Sequence, residues 1–127
     1  MFKDTKAISS FSVDDLTKAK DFYVRILGLE VSENPEGMYL HTGGGGKIFV
    51  YAKPNHVPAT YTNLMFPVDD IDKTVDELKE KGVKFEHYEG NIKTDEKGIA
   101  RRSSSRKGPD AVWFRDPAGN FLAIISM

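Results

Sequence analysis

Residues 11–23 and 66–78 are two versions of one pattern, FSVDDLTKAKDFY and FPVDDIDKTVDEL, aligned without a gap at a constant offset of 55 residues. Phe11/Phe66, Val13/Val68, Asp14/Asp69, Asp15/Asp70, Lys18/Lys73 and Asp21/Asp76 are identical, and Leu16/Ile71 is a conservative pair. A shared preference for Asp at helix N-caps accounts for the acidic pair. It does not account for Phe, Val and Lys recurring in the same phase. The chain therefore reads as a duplication, which restricts the fold to one supersecondary unit built twice.

Each copy carries the same elements. Residues 8–13 alternate as a half-buried strand does and lead into a helix start at Asp14 or Asp15. Leu16, Ala19, Phe22, Tyr23, Ile26 and Leu27 then fall on one helix face, and Gly28 supplies a left-handed stop. In the second copy residues 63–68 form the strand, Asp70 the cap, Ile71, Val75 and Leu78 the apolar stripe, and Gly82 the stop. Strand-like segments follow at 29–32, 38–41 and 47–51, and again at 84–88, 111–115 and 121–125. The expected order is βαβββ twice, an α+β fold. The expected organisation is one domain, with module 1 at about 6–53, a linker at about 54–60 and module 2 at about 61–127.

Composition narrows the function classes. A chain of 127 residues fits one domain and can bury a sizeable core. With no cysteine there is no disulfide framework, no thiolate metal site and no cysteine nucleophile. The net charge of -1, from 18 basic and 19 acidic residues, gives no global attraction to nucleic acid or anionic lipid. No apolar run approaches the ~20 residues of a membrane helix, and the opening MFKDTKAISS lacks a signal-peptide core. The expectation is a soluble cytoplasmic protein that contacts neither nucleic acid nor membrane.

The closing segment, WFRDPAGNF at 113–121, adds a turn in which Pro117 presets the bend and Gly119 or Asn120 takes a positive φ. With the duplicated entry strands at the right spacing, this DPxGN turn resembles that of the vicinal oxygen chelate superfamily, the glyoxalase, bleomycin-resistance and extradiol-dioxygenase proteins. The resemblance covers essentially the whole chain. It implies two βαβββ modules forming a curved sheet around a trough, with helices on the convex face, and modules paired in a homodimer.

Alternation sorts the strand residues into two sets. Phe11, Val13, Met38, Leu40, Ile48, Val50, Leu64, Phe66, Val68, Val112, Phe114, Leu122 and Ile124 are uniformly apolar and should face the helices. The complementary set should line the trough. It includes Tyr39, His41, Lys47, Phe49 and Tyr51 in the first module, and Asn63, Met65, Trp113, Arg115 and Ala123 in the second.

Metal-dependent members of this superfamily hold a divalent ion with His, Glu or Gln from the first and last strands of each module. By position those slots fall here on Ile8, Phe49 (or Tyr51), Asn63 and Ala123. Only Asn63 offers more than a ring or an alkyl group, and zinc, manganese or iron needs several nitrogen or carboxylate donors. No His, Asp or Glu lies between Lys6 and Val13 or after Asp116, so a register slip recovers no ligand. The expectation is that there is no metal and no cofactor.

Other candidates are weaker. His41 could line the trough as an acid–base group, His87 lies near Glu86 and Glu89, and His56 sits in the linker. Gly43 to Gly46 before Lys47 has neither the spacing of a phosphate loop nor a helix after it, and reads as a hairpin loop. The polar stretch 90–110 carries Lys97, Arg101, Arg102, Arg106 and Lys107. It reads as a solvated mobile loop, or alternatively as a lid for an anion.

Together these features describe a metal-free, glyoxalase-like protein that binds or sequesters a small organic molecule, without an assigned catalytic residue. Phe49, Tyr51, Met65 and Trp113 would be the walls, Arg115 the anion partner, and Asn63, His41 and Tyr39 the polar contacts. The alternative is a lyase, isomerase or dioxygenase of the same superfamily with a displaced metal.

Overall fold

A computed structural model describes residues 1–126, in two compact units, the first covering Met1–Pro58 and the second starting at Ala59. In the first unit β1 (Ser9–Val13) leads into α1 (Leu16–Asp21), which continues through one π-type turn (Phe22–Ile26). Then come β2 (Glu30–Asn34), β3 (Gly37–Thr42) and β4 (Gly46–Ala52), and the sheet order is β1-β4-β3-β2. β1 and β4 are parallel, and the other pairs are antiparallel. The second unit holds β5 (Thr62–Val68), α2 (Ile71–Glu80), β6 (Asp110–Arg115) and β7 (Phe121–Ser126), in the order β5-β7-β6.

The sequence repeat is a repeat of hydrogen bonds. Asp15 caps α1 by accepting the Lys18 N–H at 3.1 Å, and Asp70 caps α2 by accepting the Lys73 N–H at 3.0 Å. Each such cap is worth about 1 kcal/mol relative to alanine. Ala19, Tyr23 and Ile26 are buried on the first helical segment, and Ile71, Val75 and Leu78 on the second. The Phe11 ring meets Tyr23, 6.1 Å between centroids, which fixes the helix-facing side of β1.

The second unit departs from the expected pattern at 84–88, which does not form a strand. Only the isolated bridges Phe85–Phe114 and Ala100–Ala111 run along the outer edge of β6. The Glu86 N–H donates to the Trp113 carbonyl at 2.8 Å, while Ala100 and Ala111 exchange bonds at 2.7 and 3.0 Å. Two segments thus share an edge that one strand was expected to cover. Between them they engage the Ala111 N–H and the Ala111 and Trp113 carbonyls of that edge.

The turn at 116–120 is built on a buried carboxylate. Asp116 is 4% exposed and accepts the N–H groups of Ala118 and Asn120, both at 2.9 Å. Gly119, at φ 86°, takes the left-handed position that a side chain would strain.

Candidate functional site

In the first unit one sheet face carries the buried core and the other is less covered. Met38, Leu40, Ile48 and Val50 are buried, while Tyr39, Phe49 and Tyr51 are half-buried on the opposite side. Register places Ser10 beside Phe49 and Ser12 beside Tyr51, with Tyr39 on the other flank of Phe49. The three rings form one row. Tyr39 and Phe49 are 5.3 Å apart and tilted by 50°, and Phe49 and Tyr51 are 5.8 Å apart and nearly stacked at 18°.

Gly37 makes room for this row. A side chain there would run into the Val50 carbonyl and come within 3.2 Å of the Phe49 ring.

Polar groups sit at both ends. The Lys47 ammonium lies 5.6 Å from the Tyr39 ring centroid, a cation–π distance. Among the described residues Lys47 has no ion-pair partner. His41, in register with Lys47, shares a hydrogen bond with Ser32 through Nε2 at 2.8 Å. At the other end Ser12 Oγ and His56 Nδ1 lie 2.7 Å apart.

In the second unit Met65, Ala123 and Trp113 are cross-strand neighbours, and Arg115 pairs with Phe121. Met65 is exposed at 61%, whereas Ala123 is buried between its larger neighbours. Trp113 Nε1 donates to Thr62 Oγ1 at 3.3 Å, and its ring meets Tyr88 edge-on at 5.8 Å. Burial, reinforced by the nearby Glu86 carboxylate, raises the Tyr88 hydroxyl above its ordinary pKa.

Two residues behave differently from expectation. A bulge between Thr62 and Leu64 puts Thr62, not Asn63, in register with Phe121. Arg115, expected to face a ligand anion, already has one. Its Nε lies 2.7 Å from Glu86 Oε1, and its guanidinium stacks 4.5 Å over Phe121.

Of the positions that the sequence put forward as metal-ligand slots, Ile8, Phe49 and Ala123 carry no nitrogen, oxygen or sulfur donor in the side chain, and Asn63 has one amide. Tyr51, the alternative to Phe49, has only a phenol. Among the described residues no three His, Asp or Glu side chains gather in a way that could hold a metal ion.

The basic loop is fastened to α2. Lys97 Nζ reaches Asp72 and Asp76, each at 3.0 Å. Arg101 grips Asp72 with both terminal nitrogens at 2.9 and 2.8 Å and turns its Nε to Asp95 at 2.9 Å. The hydrogen bonds from Arg101 and Lys97 hold the Asp72 carboxyl well below the usual carboxylate range. Burial pushes Asp95 up, but bonds from the Ile99 N–H, Arg101 and the Lys97 N–H outweigh it, and its pKa falls. Arg106 turns inward onto the carbonyls of Ala100, Gly108 and Pro109. Most of the charge that suggested an anion lid is therefore engaged within the unit.

Sequence reasoning did not single out Thr62 or Tyr88, and did not pair Glu86 with Arg115 or Ser12 with His56. The bulge that turns Thr62 inward leaves no mark in the alternation, and Ser12 and His56 stand 44 residues apart.

Comparison with known proteins agrees with this architecture. Residues 8–124 match the family model of the Glyoxalase/Bleomycin resistance protein/Dioxygenase superfamily. The uncharacterised protein YraH of Bacillus subtilis (strain 168) is 32% identical over 130 residues, covering 91% of this chain and 92% of that one. Among solved structures, the fosfomycin resistance protein FosX of Listeria monocytogenes shares the fold at a TM-score of 0.72 and 16% identity, covering 98% of this chain and 93% of that one. The antibiotic-binding protein TnmS3 of Streptomyces sp. CB03234 aligns at a TM-score of 0.64 and 23% identity, covering 97% of each chain. Lactoylglutathione lyase of Agrobacterium tumefaciens aligns at 0.67 and 20%, covering 98% and 95%. The duplicated α+β fold, the DPAGN turn and the match along residues 8–124 make this chain a member of the Glyoxalase/Bleomycin resistance protein/Dioxygenase superfamily.

Proposed function

We propose that this protein binds a small organic molecule with aromatic surface, on the open faces of its sheets, and uses no metal ion to do so. The observation that carries the reading is the row Tyr39–Phe49–Tyr51, three contiguous half-buried rings on a sheet whose other face buries Met38, Leu40, Ile48 and Val50. Rings left part-exposed on a rigid strand present stacking surface at little further cost in side-chain entropy, since each has only two rotatable side-chain bonds. His41 supplies a polar contact beside them. Met65, Trp113 and Asn63 give the second sheet its own apolar and polar surface, with Arg115 at its edge. Donor chemistry supports the metal-free half of the reading, because alkyl and phenyl groups at Ile8, Phe49 and Ala123 cannot coordinate an ion. The named activities of some structural relatives, antibiotic binding and fosfomycin resistance, fit sequestration of a small molecule.

The protein is further proposed to act in the cytoplasm, in keeping with its lack of cysteine, and, by analogy with its superfamily, as a homodimer. Light scattering that gives a monomer at every concentration refutes the dimer.

Ligand binding is tested by titrating labelled protein with two-ring aromatic fragments and following the resonances of Tyr39, Phe49 and Tyr51. At about 0.3 kcal/mol per heavy atom, such fragments should bind with Kd near 1 mM or tighter. Fragments that leave these three residues unshifted at saturating concentration refute the site. One equivalent of nickel, zinc, manganese or iron retained by the purified protein at micromolar affinity refutes the metal-free reading.

A further inference from the structure

The aromatic row is not chemically symmetric, and its two ends define what it can hold. Lys47 and Tyr51 are four residues apart on β4, so about 13 Å separates them along the strand. At the Lys47 end stands an exposed ammonium that the described residues leave without an ion pair. Glu30 shares that row of the sheet, but His41 stands between the two, and Glu30 lies two strands, about 9–10 Å, away. At the Tyr51 end Ser12, in register with Tyr51, shares a 2.7 Å hydrogen bond with His56. Arg115, the cation that sequence alone puts forward, is compensated by Glu86.

We infer that the ligand of this face is an elongated aromatic anion. Two or three fused rings lie over Tyr39, Phe49 and Tyr51, the acidic group meets Lys47, and a hydrogen-bonding substituent at the far end meets the His56–Ser12 pair. This rests on the reading above and narrows it. A cation set over a ring at one end attracts an anion and orients it, and the rings between supply sequence-tolerant stacking. The Ser12–His56 pair puts polar groups at the distal end of the row, which favours a hydroxyl or carbonyl there.

The experiment uses three probes, 2-naphthoate, its neutral isostere 2-naphthamide, and 6-hydroxy-2-naphthoate, whose substituents lie at opposite ends of the ring system. Each is titrated at low ionic strength into wild type and into Lys47→Gln, Arg115→Gln, Lys79→Gln and His56→Phe. Wild type should bind naphthoate about two- to fivefold tighter than naphthamide, the range of an exposed ion pair. Lys47→Gln should erase that preference while leaving naphthamide affinity in place, and Lys79→Gln, on the exposed surface of α2, should keep it. The 6-hydroxyl should add a further gain that His56→Phe abolishes.

Equal binding of naphthoate and naphthamide by wild type overturns the anion assignment and leaves the aromatic site standing. So does a preference that survives Lys47→Gln or is lost in Arg115→Gln. A hydroxyl that gains nothing removes His56 from the site. If none of the three probes shifts the row, the inference and the function proposed above fall together.

Discussion

Asp72 is the residue on which the fastening of the basic loop depends, and its replacement by alanine puts a number on that fastening. Its carboxylate accepts two bonds from Arg101, at 2.9 and 2.8 Å, and stands 3.0 Å from Lys97. The side chains of Asp72, Arg101 and Lys97 are 46%, 41% and 28% exposed, so solvent screens these pairs substantially. An exposed pair contributes about 0.2–1 kcal/mol. The bidentate Arg101 grip should contribute about 1 kcal/mol to holding the loop, at the upper end of that range, and part of that is salt-sensitive. Lys97 keeps Asp76 and Arg101 keeps Asp95 after the change, so the loop loosens without being released.

Hydrogen exchange reads this locally. The amides of Ile99 and Ala100, bonded to Asp95 Oδ1 and the Ala111 carbonyl, should exchange about fivefold faster in Asp72→Ala. Those of Val112 and Leu122 in the sheet core should be unchanged. Asp72 also occupies the first turn of α2, where a negative charge favours the helix. A double-mutant cycle with Arg101→Gln separates that effect, and the coupling should be about 1 kcal/mol. Exchange at Ile99 and Ala100 that rises less than twofold, or that is already unprotected in wild type, refutes the account and returns the segment to a mobile loop.

Three further outcomes follow from the same geometry. Asp116→Ala leaves the buried Ala118 and Asn120 N–H groups without their acceptor and should cost about 2–4 kcal/mol in urea unfolding, and a loss under 1 kcal/mol would contradict the carboxylate's role in the turn. Gly37→Ala drives a methyl onto the Val50 carbonyl and the Phe49 ring, so it should destabilise by about 1–3 kcal/mol and disturb Phe49 resonances, whereas a neutral effect would mean that the hairpin yields freely. Acid should loosen the loop: the Asp72 and Asp95 carboxyls lie below their ordinary value in the fold, so their contribution is complete above the unfolded pKa near 4 and is lost as pH falls through the folded values. Exchange at Ile99, corrected for its intrinsic pH dependence, should be flat from pH 8 to 5 and rise below about 4; a rise already at pH 6 would point to a different group.

Sequence read the sheet faces well and the loop poorly, for one reason. Strand alternation is a local property, so Ile48 and Val50 against Phe49 and Tyr51 could be sorted by position alone, and their burial follows that order. The Asp15 and Asp70 caps were local as well. Asn63 marks where this logic fails, because the bulge beside it adds a residue and shifts the phase without altering the apolar pattern. The segment 84–88 alternates as a strand should, yet the folded-back loop claims part of the same edge through Ala100. Whether a strand forms there depends on a competitor 15 residues away. The acids that hold Lys97 and Arg101 lie on another element, and charge patterning within the loop cannot reveal them.

The two copies of the module have put the same helix position to different uses, and the difference bears on where to look for ligand chemistry. In the first copy Asp21 pairs with Arg25 on its own helix, 3.0 Å away, and among the described residues it has no other ion pair. In the second its counterpart Asp76 receives Lys97 from the loop at 3.0 Å, and Asp72, which stands where the first copy has Thr17, receives Arg101. Arg115 is compensated in its turn by Glu86. The second copy has thus directed several of its charges inward, to hold a loop and a strand edge. The first copy keeps an open face with three adjoining rings and an uncompensated ammonium. A group already neutralised within the fold must lose an ion-pair partner before it can bind an anion, while among the described residues Lys47 has only the Tyr39 ring beside it. That asymmetry predicts that substitutions at Tyr39, Phe49 and Lys47 change ligand selectivity more than substitutions at Arg115 or in the loop. A panel of these variants against one aromatic acid tests it directly, and a ranking led by Arg115 would show that the Glu86 pair opens on binding.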